Sequence, residues 1–173
     1  MASHPNRTIR SIFVTGLQNA HAVEQQALAL IDRQLDRLVR YPELADRLRL
    51  HRAETRQQVA RLDEILRSLH ESHSSFKDLA MNLIGNVAAI GNAMAGDEIL
   101  KNSFVTFAFE NFEIASYRSL LALAEAGGFA AAAPLLETTL REEQAMAAWL
   151  EERLPSITLA YAGLREQGRP ASH

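Results

Sequence analysis

The chain has 173 residues, 47% of them hydrophobic and 23% charged, a profile that fits one ordinary domain with a real core and argues against a second. With 18 Lys plus Arg against 21 Asp plus Glu, the net charge of −3 offers no global field to phosphate backbones or anionic membranes, so neither nucleic acid nor membrane is the expected partner. The absence of Cys removes disulfides, thiolate zinc sites and cysteine nucleophiles, fits a reducing compartment, and leaves only oxygen and imidazole ligands for any metal.

The opening residues MASHPNRTIR hold no apolar signal core, and no later stretch approaches the ~20 uninterrupted apolar residues of a membrane span. A cytoplasmic protein is expected. From residue 8 to 40, Ile9, Phe13, Leu17, Ala20, Leu28, Ile31, Leu35 and Leu38 recur at three-and-four spacing, which predicts a first helix. Tyr41-Pro42 interrupts it, and Leu44, Leu48, Leu62, Ile65, Leu66 and Leu69 predict a second over 42–70. The short break makes the two an antiparallel hairpin.

Residues 72–96 change composition, leading through His73-Ser74-Ser75 and a small-residue stretch to Gly91 and Gly96, and read as a connector. A third helix is expected over 97–127, with Asp97 as N-cap and a stop at Gly127-Gly128. A fourth covers 129–154 and ends at Pro155. Pro134 inside it marks either the true first turn or a kink after a separate turn over 129–133. A short fifth helix, 156–167, precedes a polar tail over 168–173. The expected architecture is one all-α domain over 1–173, a four-helix bundle with one long crossover and a short C-terminal helix.

The chemically informative residues are acids on the apolar stripes. Glu143 falls between Leu136, Leu140, Ala147 and Leu150, and Glu24 between Leu17, Ala20, Leu28 and Ile31. Glu110 and Glu113 lie in line with Thr106, Tyr117 and Leu120, and Glu54 lies nearer the edge of its stripe. Glu24 to Glu54 and Glu113 to Glu143 are both 30-residue steps, as if each hairpin set one acid from each helix at the same height. Burying such a set without counter-charge costs several kcal/mol per acid, and no Lys or Arg occupies matching stripe positions. A pair of multivalent cations is the economical neutraliser.

The segments Ala22-Val23-Glu24-Gln25-Gln26, Glu54-Thr55-Arg56-Gln57-Gln58 with Arg61-Leu62, Glu110-Asn111-Phe112-Glu113-Ile114-Ala115-Ser116-Tyr117 and Leu140-Arg141-Glu142-Glu143 resemble the YciE/YciF-type ferritin-like proteins, over nearly the whole chain. The most specific piece is Glu-x-x-Glu-Ile-Ala-Ser-Tyr. The resemblance implies a ferritin-like bundle, a dinuclear metal centre, a homodimer and a bacterial stress role. Carried over by position, it assigns Glu24, Glu54, Glu110, Glu113 and Glu143 as metal ligands, with Gln57 where some relatives have His. The wider ferritin-like Glu-x-x-His pattern is broken at both Gln57 and Met146, which points to an all-oxygen ligand set suited to iron or manganese.

His51 and His21 each precede an acid by three residues, and Tyr117 follows Glu113 by one turn, so these three are expected as further ligands or as hydrogen-bond partners of the ligands. No residue beyond the ligands is assigned a catalytic role. The expected function is a dinuclear iron or manganese protein that handles ferrous ion or peroxide, with ferroxidase-like or peroxidase- or catalase-like turnover as the enzyme class. The alternative is a non-enzymatic dimeric helical stress protein with a weak or vestigial metal site.

Overall fold

The computed structural model describes residues 4–72, 98–169 and 171. Among them are four helices and no strand: α1 (His4–Leu35), α2 (Pro42–Ser68), α3 (Glu98–Gly127) and α4 (Ala133–Glu166). The connector expected over 72–96, apart from Ser72, and the Asp97 cap lie outside the described residues.

Each helix end has a local cause. α1 stops five residues earlier than expected: Arg37 N donates to Gln34 O and Tyr41 N to Leu38 O, so Leu38 is buried from a turn and not from a helix. Pro42 then holds Tyr41 out of the helical region (ψ 64) and occupies the first turn of α2. α2 closes with His70 in the left-handed region (φ 58) and Glu71 N donating to Leu66 O. α3 closes in the same way, with Gly128 at φ 73 and Phe129 N donating to Ala124 O.

Pro134 sits in the first turn of α4, which settles the two readings of that segment in favour of a helix that starts there. The expected break at Pro155 is absent: one helix runs through it to Glu166, in place of a fourth helix and a separate fifth. Proline removes one backbone hydrogen bond there. Ile157 and Tyr161, two and six residues beyond, bury against the same cluster as Leu150, and that packing offsets the loss.

α1 packs on α2 and α3, and α4 packs on α3 and α2. The ends define direction. Gln34 near the end of α1 donates to Thr106 near the start of α3 (3.1 Å), while Phe13 near the start of α1 stacks on Phe129 just past α3 (4.7 Å between ring centroids). α1 and α3 are therefore antiparallel, and α2 and α3, on a diagonal, run parallel. The two larger apolar clusters sit at the poles. One gathers Ile31, Leu44, Leu48, Ile99, Met146 and Leu150; the other gathers Phe13, Leu17, Leu62, Ile65, Leu120 and Leu136. A third, small one joins Val23 and Ala27 of α1 to Phe109 of α3. Between the poles lies a layer of buried polar side chains.

Candidate metal centre

Helical phase delivers that layer. The buried stripe of α1 passes through Leu17, Glu24 and Ile31; that of α3 through Thr106, Glu110, Glu113, Tyr117 and Leu120; that of α4 through Leu136, Glu143 and Leu150. Glu24, Glu110, Glu113 and Glu143 are each no more than 2% exposed. In α2 the stripe runs Leu48, His51, Thr55, Gln58, Leu62, so the imidazole and the carboxamide point inward while Glu54 lies at the edge, its side chain 21% exposed.

His51 stands at the centre of the cluster. Its Nδ1 lies 3.2 Å from Glu54 Oε2, its Nε2 lies 3.2 Å from Glu110 Oε2 and 3.8 Å from Glu143 Oε2, and its carbonyl accepts from Thr55 Oγ1. Ligand atoms of His51, Glu110 and Glu143 fall within 4.8 Å of one another, a buried group that could hold a metal ion. His51, expected from the sequence as a further ligand or a hydrogen-bond partner of the ligands, thus lies among the carboxylates, and its imidazole comes from three residues before Glu54.

The remaining predicted residues divide. Tyr117 donates its hydroxyl to Glu24 Oε1, joining α3 to α1. Glu54 accepts from Arg47 Nη1 at 3.0 Å as well as contacting His51, so it sits between the cluster and the surface. His21 is buried on α1, and its Nε2 lies 3.2 Å from Asp63 Oδ1 on α2. Gln57 is a correction: it is exposed, because the inward phase of α2 falls on residue 58. Gln58, which the sequence pattern does not single out, is fully buried; its Nε2 donates to Glu143 Oε1 and, at 3.0 Å, to Glu142 Oε2. The i, i+4, i+7 steps that lead from His51 to Thr55 and Gln58 are the signal that could have found it.

Burial and mutual repulsion set the protonation of the layer. Desolvation, opposed by the Tyr117 hydrogen bond, pushes Glu24 up to about 8. Glu113 is pushed well above the carboxylate range by burial and by Glu24 and Glu110; Glu143 is likewise raised by burial, by Glu113 and by its contact with Glu110. His51 runs the other way. Burial disfavours its charge, but the Glu110 carboxylate and the contacts to Glu110 and Glu54 outweigh burial and raise it to about 9. Glu54 is also penalised by burial, yet hydrogen bonds from His51 and Arg47 leave it below its ordinary value.

Among the described residues, three carboxylate oxygens, Glu110 Oε2, Glu113 Oε1 and Glu143 Oε2, are buried with no hydrogen-bond partner. Glu110 Oε2 is close to His51 Nε2 but out of line for a hydrogen bond. Buried oxygens of this kind, two of them on residues clustered with an imidazole, are the donor set a divalent cation satisfies, so the residues present fit a metal.

Comparison with known proteins agrees with this fold. The chain is 31% identical over 147 residues to protein YciF of Escherichia coli (strain K12), covering 80% of this chain and 86% of that protein. A crystal structure of a protein from Xanthomonas campestris pv. campestris superposes with a TM-score of 0.77 at 33% identity, covering 92% of this chain and 99% of that one. The crystal structure of the E. coli stress protein YciF superposes with a TM-score of 0.73 at 25% identity, covering 89% and 96%. Residues 8–163 match the family described as "Domain of unknown function (DUF892)", and the chain belongs to that family.

Proposed function

We propose that the central layer binds two metal ions, iron or manganese, as a carboxylate-bridged dinuclear centre. The observation that carries this reading is the buried cluster of His51, Glu110 and Glu143, whose ligand atoms lie within 4.8 Å of one another, with carboxylate oxygens of Glu110, Glu113 and Glu143 that accept no hydrogen bond among the described residues. Glu24, Glu54, Glu110, Glu113, Glu143 and His51 would hold the ions. Such a pair, when bound, supplies redox chemistry toward ferrous ion, peroxide or dioxygen. The protein's own part is to bury the layer between two apolar poles and to hold Glu24 by the Tyr117 hydroxyl.

The description of YciF as a stress protein supports a role in bacterial oxidative or general stress. A homodimer is supported by an uncharged outer face. Between Ser11 and Ile31 the sole Asp, Glu, Lys or Arg is Glu24, and between Asn102 and Tyr117 there are only Glu110 and Glu113, all three buried, while Ile12, Phe104 and Phe112 are exposed. A cytoplasmic location rests on composition alone; no described helix is long and apolar enough to cross a membrane.

Elemental mass spectrometry of untagged protein, purified without chelators and reloaded with ferrous or manganous ion, tests the reading. About two equivalents per chain, lost in the Glu113→Leu, Glu143→Leu double variant, are expected. Metal at background under every loading condition would sink it. The second reading, a non-enzymatic dimeric helical protein with a vestigial site, is favoured by one observation: His51 and Gln58 already engage Glu110 and Glu143 from within the chain. Two equivalents of metal without consumption of ferrous ion or peroxide would select a binding role without turnover.

A further inference from the structure

Among the described residues, the buried carboxylate of Glu143 takes its hydrogen bond from the Gln58 amide. That amide is itself held from outside. Its Nε2 also donates to Glu142 Oε2 (3.0 Å), and Arg61 grips Glu142 through a two-pronged pair, Nη1 to Oε2 at 2.6 Å and Nη2 to Oε1 at 2.8 Å. Arg61 Nη1 further donates to Thr139 Oγ1 at 3.1 Å, which locks the guanidinium on α4. The result is a chain of fixed groups leading from the half-buried surface pair to the deepest acid.

The two oxygens of Glu143 are consequently unequal. Oε1 is taken by Gln58; Oε2 has no hydrogen bond and lies 3.8 Å from His51 Nε2, on the side of Glu110. A buried amide whose own Oε1 is left without a partner is an expensive residue at this position. An arginine or lysine in its place would put a fixed positive charge beside the cluster and compete with a cation, and a carboxylate would add repulsion; a neutral N–H donor orients Glu143 without doing either.

We infer that Gln58 is a positioning residue for the metal centre: through its contact with Glu143 Oε1, backed by the Arg61–Glu142 pair, it selects Glu143 Oε2 as the oxygen presented to the cation. This inference rests on the dinuclear reading above. It concerns a residue outside the ligand set and one position removed from Gln57, the residue the sequence pattern singles out.

The test is titration of apo protein with Mn²⁺ and Co²⁺, reading affinity calorimetrically and ligand geometry from the Co²⁺ absorption bands. Gln58→Met keeps the side chain's length and removes the donor. It is expected to weaken affinity at least tenfold and to alter the Co²⁺ bands, the range known for groups that orient metal ligands. Gln57→Met, at an exposed site, is expected to change neither. Should Gln58→Met fold poorly, Arg61→Met frees Glu142 without entering the core, and a shift of the Co²⁺ bands in the same direction with a smaller loss of affinity is expected. Wild-type affinity and an unchanged Co²⁺ spectrum in the Gln58 variant, or in the Arg61 variant where that one is used, overturn the inference and leave the metal reading standing. A wild-type chain that takes up neither ion overturns both.

Discussion

The poles and the middle of this bundle are built on opposite principles. At either end, side chains such as Leu48 and Leu150, or Phe13 and Leu17, are fully buried and ask nothing of their neighbours but shape. In the middle, Glu24, Glu110, Glu113 and Glu143 are as deeply buried as those leucines, and every one of them loses its hydration to be there. The stability of the fold comes from the ends, and the central layer draws on it. A layer retained at such a cost is the part of the molecule to examine for chemistry.

The contrast can be broken at its strong side. Leu150→Ala should leave a cavity at one pole and cost about 2–5 kcal/mol, seen as a lower midpoint in urea at unchanged slope. A loss under about 1 kcal/mol would mean the poles are looser than their burial implies. The middle predicts a pH dependence of definite sign. Glu24 binds its proton up to about 8 in the folded chain but only to its ordinary value when unfolded, so holding it neutral becomes a growing penalty between those values. His51, raised to about 9, contributes stability below its ordinary value that is lost as pH climbs through about 9. Both act in the same direction. Apo protein should therefore lose stability, on the order of a few kcal/mol, between about pH 5 and pH 9. Saturating metal should flatten that slope, because bound carboxylates are deprotonated throughout; thermal melts across the range with and without Mn²⁺ decide it.

A smaller effect of opposite sign is expected from the layer itself. Glu113→Leu with Glu143→Leu replaces two desolvated acids by apolar groups, and apo stability should hold or rise by about 1–4 kcal/mol while metal uptake disappears. A large loss would show the acids to be a structural network, erasing the distinction between middle and ends. The smallest effect lies outside both regions. Gly128, at φ 73 with open space around its α-carbon, should cost about 1 kcal/mol as Ala through backbone strain alone, read from the shift of the urea midpoint.

Much of this was legible in the sequence because helical phase is a strong signal. The stripes of α1, α3 and α4 carry acids flanked by leucines for several turns, and Glu24, Glu110, Glu113 and Glu143 are all found inside. α2 was harder. Its polar residues are dense, so counting three from Glu54 gives Gln57, whereas counting from Leu48 gives His51, Thr55 and Gln58; a step of about 100° separates a solvated amide from a buried one. The central rank of His51 was hidden for another reason. Its partners Glu110 and Glu143 lie on α3 and α4, far along the chain, and no spacing within α2 reports them. Pro155 misled because a proline's local cost is visible in sequence and the packing of Ile157 and Tyr161 beyond it is not.

Two bonds of the central layer share one property: Tyr117 to Glu24 and Gln58 to Glu143 both tie the first hairpin to the second, across 93 and 85 residues. Leucine poles grip without direction, and two greased helical pairs can slide along each other at little cost per step. A slip of one turn, about 5.4 Å, would part both bonds together and leave four carboxylates facing hydrocarbon. The acids thus work as a vernier, holding the two halves of the molecule in a single axial alignment before any ion arrives.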